Sequence, residues 1–435
     1  MNLLRIFTSL LILFILSVNP VFSARDTDSY DGNIYPIYAG NGSLVPPPST
    51  LSEALKNGYD SIFGKQWPIW VGGILFGMIN VFMFAFERPW SSANGIRNWG
   101  NWFFNSLNVT DITIISPHLF STSLLNFGII AGAFASALLA KQFQIRMAPT
   151  RELVKGLLGG ALMGIGSALS FGCNIGGFFS ATSALSLAGP AMMIGLIFGS
   201  FLGLKLLVWE ITYLSPAVLK KNSSANKGDS SSSSQQPMIG LIIILVGLGL
   251  VFTYDHFEYS TRGGFLLFGL IIGVLMQRTR FCFVRAFRDP FMTGESESTR
   301  AVALAVIIGA VGFSILKWTD LKDWEVFVSP GFWTGSLIGG TIFGVGMSLS
   351  GGCGTSSLWR AGEGQIKLWF SLLTFALIGS LFREWLDQSG WLMKIGEPVF
   401  LPDFMNWSLA LFCIVIIMIS WYLVCLLYTS DAADE

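Results

Sequence analysis

Charge is scarce in this chain. Only 12% of its 435 residues are charged, against about 25% in soluble domains, and 52% are hydrophobic. A chain with so little charge has too few polar residues to cover a surface in water. The composition therefore predicts an all-α polytopic membrane protein whose outer surface contacts the lipid bilayer.

Several site chemistries are also missing. The chain has two histidines and no Cys-x-x-Cys pair, which leaves little from which to build a zinc or iron–sulfur site, so we expect no metal and no cofactor. Lys and Arg balance Asp and Glu at 26 each, without a basic block between aromatics, so no nucleic-acid partner is expected. The segment SGGCGTSS lacks the lysine of a phosphate-binding loop, which argues against nucleotide binding.

Apolar segments recur after residue 67 and predict about nine or ten membrane helices. Several are shorter than the roughly 20 residues that a simple crossing needs, so we expect some of them to be broken or re-entrant. The predicted segments are 68–86, 122–140, 153–171, 191–209, 238–252, 264–281, 301–316, 331–350, 368–381 and 407–424.

Polar stretches divide the chain into domains. Residues 1–24, with Arg5, an apolar core and small residues near Ala24, predict a secretory signal peptide, and an uncleaved membrane helix is the alternative. We therefore expect an extracytoplasmic N-terminus in a bacterial inner membrane, followed by an extracytoplasmic arm at 25–66. The remaining predicted domains are a first membrane repeat at 67–214, a flexible serine-rich linker at 215–237 and a second membrane repeat at 238–424.

An internal repeat supports this division. GGALMGIGSALSFGC at 159–173 aligns without gaps on GGTIFGVGMSLSGGC at 339–353, an offset of 180, with eight of 15 positions identical. The shared residues include a serine and a cysteine, so glycine content alone does not explain the match. The sequence predicts two duplicated, pseudo-symmetric halves and leaves open whether they are parallel or inverted in the membrane.

Glycines cluster around the two repeated cysteines instead of recurring at every fourth residue. Gly172 and Gly176, and likewise Gly352 and Gly354, let the backbone leave the helix and turn its N–H groups toward a cavity. Short helices following the cysteines would direct their positive ends to the same point, so these glycines are predicted to help bind an anion. The predicted short helices lie at 178–187 and 355–361.

Three of the five cysteines are candidates for the site. Cys173 and Cys353 are the repeated pair, and Cys282 lies between them in RTRFCFVRAFRD. A fainter match at an offset of 196 carries Phe86 onto Cys282, which leaves Cys282 without a cysteine counterpart. Cys413 lies within an apolar span and is interpreted as a small buried residue. Thiols are soft, weak hydrogen-bond donors, so three around a dry constriction suit a sulfur-containing ligand, and thiol exchange is the chemical alternative.

The two glycine-rich GC breaks, with RTRFCFVRAFRD between them, resemble the YeeE/YedE family of membrane proteins, which includes bacterial thiosulfate transporters. The resemblance covers roughly residues 67–424. It implies a bundle of about nine spans in two pseudo-symmetric halves, with re-entrant helix-loops that meet at the middle. It also implies thiosulfate uptake without covalent turnover, in which Cys173, Cys282 and Cys353 guide the ion by S–H contacts.

Other functions stay open at this point. A membrane sulfurtransferase would take a sulfane sulfur onto a cysteine as a persulfide, and a cytoplasmic sulfur-carrier protein is a candidate partner. Relatives associated with selenium metabolism make a selenium-related permease a further alternative. The substrate remains a choice among thiosulfate, sulfide, sulfite and a selenium species.

Two further features concern the topology and the C-terminus. Loops 141–155 and 277–300 are both basic, which favours the cytoplasm, yet alternation of the spans from an exported N-terminus puts 141–155 outside. Residues 425–435, CLLYTSDAADE, match the read-through translation of a transposase sequencing adapter. Cys425 and the residues after it are therefore predicted to be an artefact.

Overall fold

A computed structural model describes residues 56, 58–108, 114–213, 230–323, 325–391, 394 and 396–434. The predicted signal peptide at 1–24, most of the arm at 25–66 and most of the linker at 215–237 lie outside the described residues. The chain divides into two compact units, Met1–Gln66 and Trp67–Glu435. In the first unit the described part includes a short π-helix, Asp60–Gly64. The second unit holds the predicted membrane repeats.

The regular structure of the second unit is helical throughout its described residues. Ten helical segments are long and apolar enough to span a membrane, which confirms the prediction of an all-α polytopic protein. In chain order the helices are α1 (Ile69–Phe86), α2 (Ala93–Ser106), α3 (Ser121–Leu139), α4 (Thr150–Leu169), a π-helix (Asn174–Ser180), α5 (Ala181–Ser183), α6 (Ala188–Tyr213), α7 (Ser230–His256), α8 (Ser260–Thr279), α9 (Phe283–Met292), α10 (Glu297–Trp318), α11 (Thr334–Ser350), α12 (Gly354–Gly362), α13 (Ile366–Gln388), α14 (Leu401–Phe404) and α15 (Trp407–Asp434).

Each of the ten predicted apolar segments overlaps one of the spans and extends at most three residues past its ends, and several helices extend beyond their prediction. The segment predicted at 368–381 belongs to a helix of 23 residues, and the one at 301–316 belongs to a helix of 22 residues. Their added turns contain charged residues such as Lys317 and Arg383. A search for apolar runs stops at these residues, whereas the helix continues to the polar edge of the bilayer.

The helices pack in matching pairs. Each half contains a span, a short helix, two spans, a break helix and a final span, namely α1 to α6 and α8 to α13. α3 packs along α8, and the corresponding pair, α10 and α1, does the same. α6 packs along α11 as α13 packs along α4. Exchanging the halves therefore reproduces the main contacts, as the duplicated sequence predicts.

The repeated helices α4 and α11 cross at the centre in opposite directions. A Cβ added to Gly159 would lie 2.6 Å from the carbonyl oxygen of Gly346, and one added to Gly166 would lie 2.6 Å from that of Gly339. In the sequence alignment, however, Gly159 matches Gly339 and Gly166 matches Gly346. Equivalent helices that meet antiparallel are related by a two-fold axis perpendicular to them, so this contact indicates an inverted repeat.

One end of this unit carries many basic residues. The Trp67 N–H donates to the carbonyl oxygen of Arg278 at 3.0 Å, and the Arg146 N–H donates to that of Gly364 at 2.9 Å. The Gln277 side chain also donates to the Gln142 side chain at 3.0 Å, so the basic loops 141–155 and 277–300 both begin near the start of α1. We call this the basic end. Lys317, at the far end of α10, lies at the opposite end, because α10 runs parallel to α1.

We predict that Gly166→Ala destabilises the protein, because its methyl group would meet backbone atoms of α11 where neither helix has a flexible side chain to move. Overpacking of this kind costs about 1–3 kcal/mol, so the melting temperature of the detergent-purified protein should fall. Gly249→Ala in α7 is the matched control, since nothing lies within 4 Å of its added Cβ. Equal melting temperatures for the two variants would contradict the close crossing of α4 and α11.

Candidate functional site

Both central breaks begin with the same turn. A residue with left-handed backbone follows the end of each helix, Phe171 with φ 57° after α4 and Gly351 with φ 76° after α11. These two residues match at the offset of 180. Glycine adopts this conformation without strain, whereas a side chain such as that of phenylalanine disfavours it. The turn in the first half therefore depends on the surrounding structure more than the turn in the second half does.

The serine shared by the repeat holds each break. The hydroxyl of Ser170 lies 2.8 Å from the carbonyl oxygen of Gly172, and that of Ser350 lies 2.6 Å from the carbonyl oxygen of Gly352. Both hydroxyls can donate to these carbonyl groups, which have left the helix inside the membrane. This role gives a physical reason for the serine that the sequence comparison found at both positions.

A short helix follows each repeated cysteine, as predicted, but it begins directly after the cysteine. The π-helix Asn174–Ser180 follows Cys173, and α12 follows Cys353. The two cysteines have almost the same extended backbone, with φ and ψ of −80° and −177° in the first half and −85° and −178° in the second. π-Helices are rare and frequently occur at functional sites.

The four predicted site glycines allow close approaches within the breaks. A Cβ added to Gly172 would lie 2.6 Å from the backbone nitrogen of Gly177. A Cβ added to Gly352 would lie 2.8 Å from the hydroxyl oxygen of Ser357. One added to Gly354 would lie 3.7 Å from the Cβ of Cys173. The start of α12 in the second half therefore faces the cysteine of the first half, and the two breaks meet.

The three predicted cysteines are all fully buried, and two of them share one serine. The hydroxyl of Ser356 lies 3.3 Å from the Cys282 sulfur and 3.2 Å from the Cys353 sulfur. The Ser356 N–H also points to the Cys353 sulfur at 3.4 Å. Sequence reasoning missed Ser356, because serine is common and its position in SGGCGTSS carries no distinctive spacing.

The first half has a serine where the second has Cys282. A Cβ added to Gly176 would lie 2.7 Å from the Ser91 hydroxyl. Gly176 matches Ser356 at the offset of 180, and Ser356 contacts Cys282, so Ser91 is the structural counterpart of Cys282. The sequence register had instead carried Phe86 onto Cys282, but the Phe86 ring packs against Phe268. The register failed because the chain between α1 and α2 is longer than its counterpart.

Asn174 is a further site residue that the sequence analysis did not select. Its side chain is fully buried next to the repeated cysteine Cys173, and it lies beside the Cys353 thiol. Neither its amide nitrogen nor its amide oxygen makes a hydrogen bond of normal geometry. A buried carboxamide that makes no hydrogen bond of normal geometry is unusual, so its donor and acceptor can contact a ligand between the breaks.

Aromatic rings surround one side of this cluster. Phe76, Trp90, Phe179, Phe283 and Phe281 contact one another in a closed circuit, with ring centroids 4.7–6.3 Å apart. All five side chains are fully buried. Because two of these residues flank Cys282, the circuit lies directly beside its thiol and keeps this region apolar.

Charged groups lie between the thiols and the basic end. Arg280 forms an ion pair with the buried carboxylate of Glu363 at 2.7 Å, and Gln277 donates to the same carboxylate at 3.2 Å. Arg360, on α12, points one guanidinium nitrogen to the Cys282 sulfur at 3.8 Å. Its other terminal nitrogen donates to the carbonyl oxygen of Gly351 at 2.9 Å.

The donor set does not form a metal centre within the described residues, where no three side chains of His, Cys, Asp or Glu are grouped to hold an ion. The arrangement instead combines weak S–H donors, a serine hydroxyl, the carboxamide of Asn174 and a nearby guanidinium. Such groups can surround a small anion without fixing it covalently.

An inverted repeat whose two broken helices meet at the bundle centre is the construction of membrane transporters. The profile of the Sulphur transport family matches residues 10–202 and 278–434. The chain therefore belongs to this family, the YeeE/YedE family that its motifs resemble.

Curated relatives agree with this assignment. The chain is 28% identical to the probable transporter YedE of Escherichia coli strain K12 over 282 residues, covering 63% of this chain and 66% of the relative. It is 30% identical to the probable transporter YedE of Salmonella typhimurium, covering 75% and 77%. It is 37% identical to the thiosulfate transporter TsuA of E. coli over 119 residues, covering 27% and 33%. The matched region thus spans just under two thirds of the E. coli YedE and about a third of TsuA.

We predict that Gly354→Cys forms a disulfide bond with Cys173. The distance of 3.7 Å between the two Cβ positions is close to the mean of about 3.8 Å in disulfides. The variant should be made with Ser at positions 282, 353, 413 and 425, oxidised with diamide, and analysed by mass spectrometry of peptides. The same variant with Cys173→Ser is the control. Absence of the cross-link in folded protein would contradict the apposition of the two breaks.

Proposed function

We propose that this protein is a bacterial inner-membrane importer for thiosulfate or a closely related sulfur-containing anion, which passes between Cys173, Cys282 and Cys353. One observation carries the proposal: the two duplicated breaks meet at buried thiols beside the carboxamide of Asn174, which makes no hydrogen bond of normal geometry. Membership of a sulphur transport family and the similarity to TsuA support the same substrate class.

The chemistry of the site suits such an anion. The first N–H groups of α12 have no partner within that helix, and its positive end starts at Gly354, facing Cys173. S–H groups are weak, polarizable donors, which match a soft sulfur atom better than a hard oxyanion such as phosphate. The aromatic circuit keeps water away, which strengthens these weak contacts.

Burial favours passage over chemistry. Each of the three thiols has no surface accessible to solvent, and transfer of sulfur to a protein partner would require a thiol within that partner's reach. The relatives are named transporters, which is in keeping with a protein that is not an enzyme. A persulfide on one of these cysteines is the alternative, and the test below distinguishes it.

We also propose that the basic end faces the cytoplasm, because basic loops on both sides of the repeat gather there. This orientation puts Trp67 on the cytoplasmic side.

Labelling of introduced cysteines tests the orientation. Met147 lies at the basic end and Phe404 at the opposite end, and their exposed fractions are 76% and 75%. A membrane-impermeant maleimide should label Phe404→Cys in intact spheroplasts, and Met147→Cys only after permeabilisation. The unmodified protein, whose three site thiols are buried, gives the background. The reverse labelling pattern would overturn the orientation.

Transport assays test the proposed function. Purified protein in proteoliposomes should take up radiolabelled thiosulfate, and Cys173→Ala, Cys282→Ala and Cys353→Ala should each reduce the uptake rate by about tenfold or more, because each removes a buried donor. Cys413→Ala, in the peripheral helix α15, is the matched control and should transport normally. Full uptake by all three site variants would refute the role of the thiols.

Mass spectrometry of the intact protein after exposure to thiosulfate distinguishes the alternative. Unmodified cysteines together with uptake support a conduit. An added mass of one sulfur on a peptide containing Cys173 or Cys282 would instead support the sulfurtransferase and refute transport without covalent turnover.

A further inference from the structure

Arg360 has an unusual set of contacts for a charged residue deep in a membrane protein. It is partly buried on α12, and its polar contacts are the Gly351 carbonyl oxygen and the Cys282 sulfur. The guanidinium also lies 5.2 Å from the ring centre of Trp359. Among the described residues no carboxylate neutralises it.

The neighbouring arginines differ in this respect. Arg280 pairs with Glu363, and Arg285 and Arg288 both pair with Asp289. An unneutralised guanidinium within a membrane span is costly unless water or an anion compensates it. Arg360 is thus the cation closest to the thiols that keeps its charge available.

Comparison of the two halves shows that only the second half has a charge at this position. Arg360 matches Ser180 at the offset of 180. The Ser180 hydroxyl donates to the Trp90 carbonyl oxygen at 2.8 Å and lies 3.2 Å from the Asn80 carboxamide oxygen. At this position of the repeat, the first half therefore has a neutral serine in a hydrogen-bond network on the side of the opposite end. The second half has a cation without a carboxylate partner on the side of the basic end.

We propose that Arg360 determines the selectivity of the site for anions, by holding the negative charge of the substrate while its sulfur contacts Cys282. This inference rests on the proposed transport of a sulfur-containing anion. The thiols then recognise sulfur and the guanidinium recognises charge. Each terminal guanidinium nitrogen carries two N–H groups, so Arg360 can donate to an anion while it keeps its contacts with Gly351 and Cys282.

Kinetics of thiosulfate uptake in proteoliposomes test the proposal. Arg360→Gln keeps a donor for the Gly351 carbonyl but removes the charge, and it should raise the KM by about ten- to hundredfold, as expected for loss of one charged hydrogen bond. Arg360→Lys keeps the charge and should restore most of the affinity. If Arg360 had a purely structural role, Arg360→Gln would have the lower KM of the two variants, because glutamine keeps a planar group with an N–H donor for the Gly351 carbonyl oxygen.

Arg288→Gln is the matched control, since it removes one positive charge at the same end from an arginine that Asp289 neutralises, and its KM should be unchanged. If the unmodified protein takes up no thiosulfate, the proposed function itself fails. If the unmodified protein transports and Arg360→Gln keeps its KM, or Arg360→Lys is no better than Arg360→Gln, the role of Arg360 is refuted and the proposed function stands.

Discussion

Backbone that leaves a helix inside a membrane must find its hydrogen-bond partners within the protein, and the centre of this fold depends on that constraint. Each half satisfies it with the same parts: a left-handed turn, a serine that donates to the freed carbonyl group, and a cysteine in extended conformation that starts a new helix. Glycine is required at these positions because backbone and hydroxyl groups occupy the space that a Cβ would need. This construction also leaves the first N–H groups of α12 without a partner in that helix, at the point where Gly354 faces Cys173.

Duplication supplies two equivalent breaks, and the two halves differ in the side chains around them. Ser91 and Gly176 in the first half stand where Cys282 and Ser356 stand in the second. Ser180 stands where Arg360 does. The symmetric part of the fold thus brings weak donors together at the centre, while the asymmetric part adds a third thiol and a charge on one side.

The spans and the two breaks were predictable because lipid imposes a simple rule on composition, and because a gapless repeat with a shared cysteine is a strong signal. The counterpart of Cys282 was not predictable, because the longer chain after Phe86 shifts the alignment by a few residues and only packing against Gly176 identifies Ser91. Arg360 and Asn174 were missed for a related reason. Their significance lies in which partners they lack, and partners are a property of the folded protein.

The sequence by itself determined that this is a membrane protein with ten apolar spans in two copies, each broken at a Gly-Cys pair, because hydrophobicity and repetition are local properties of the chain. The tertiary structure decided that the copies are inverted, since the direction in which α4 crosses α11 depends on contacts between residues 180 positions apart. The tertiary structure also decided that the first break, LSFGCNIGG at residues 169–177, contacts the second break at the start of α12. Whether a cysteine contacts a serine, a glycine or a guanidinium follows from that meeting, which no local pattern contains.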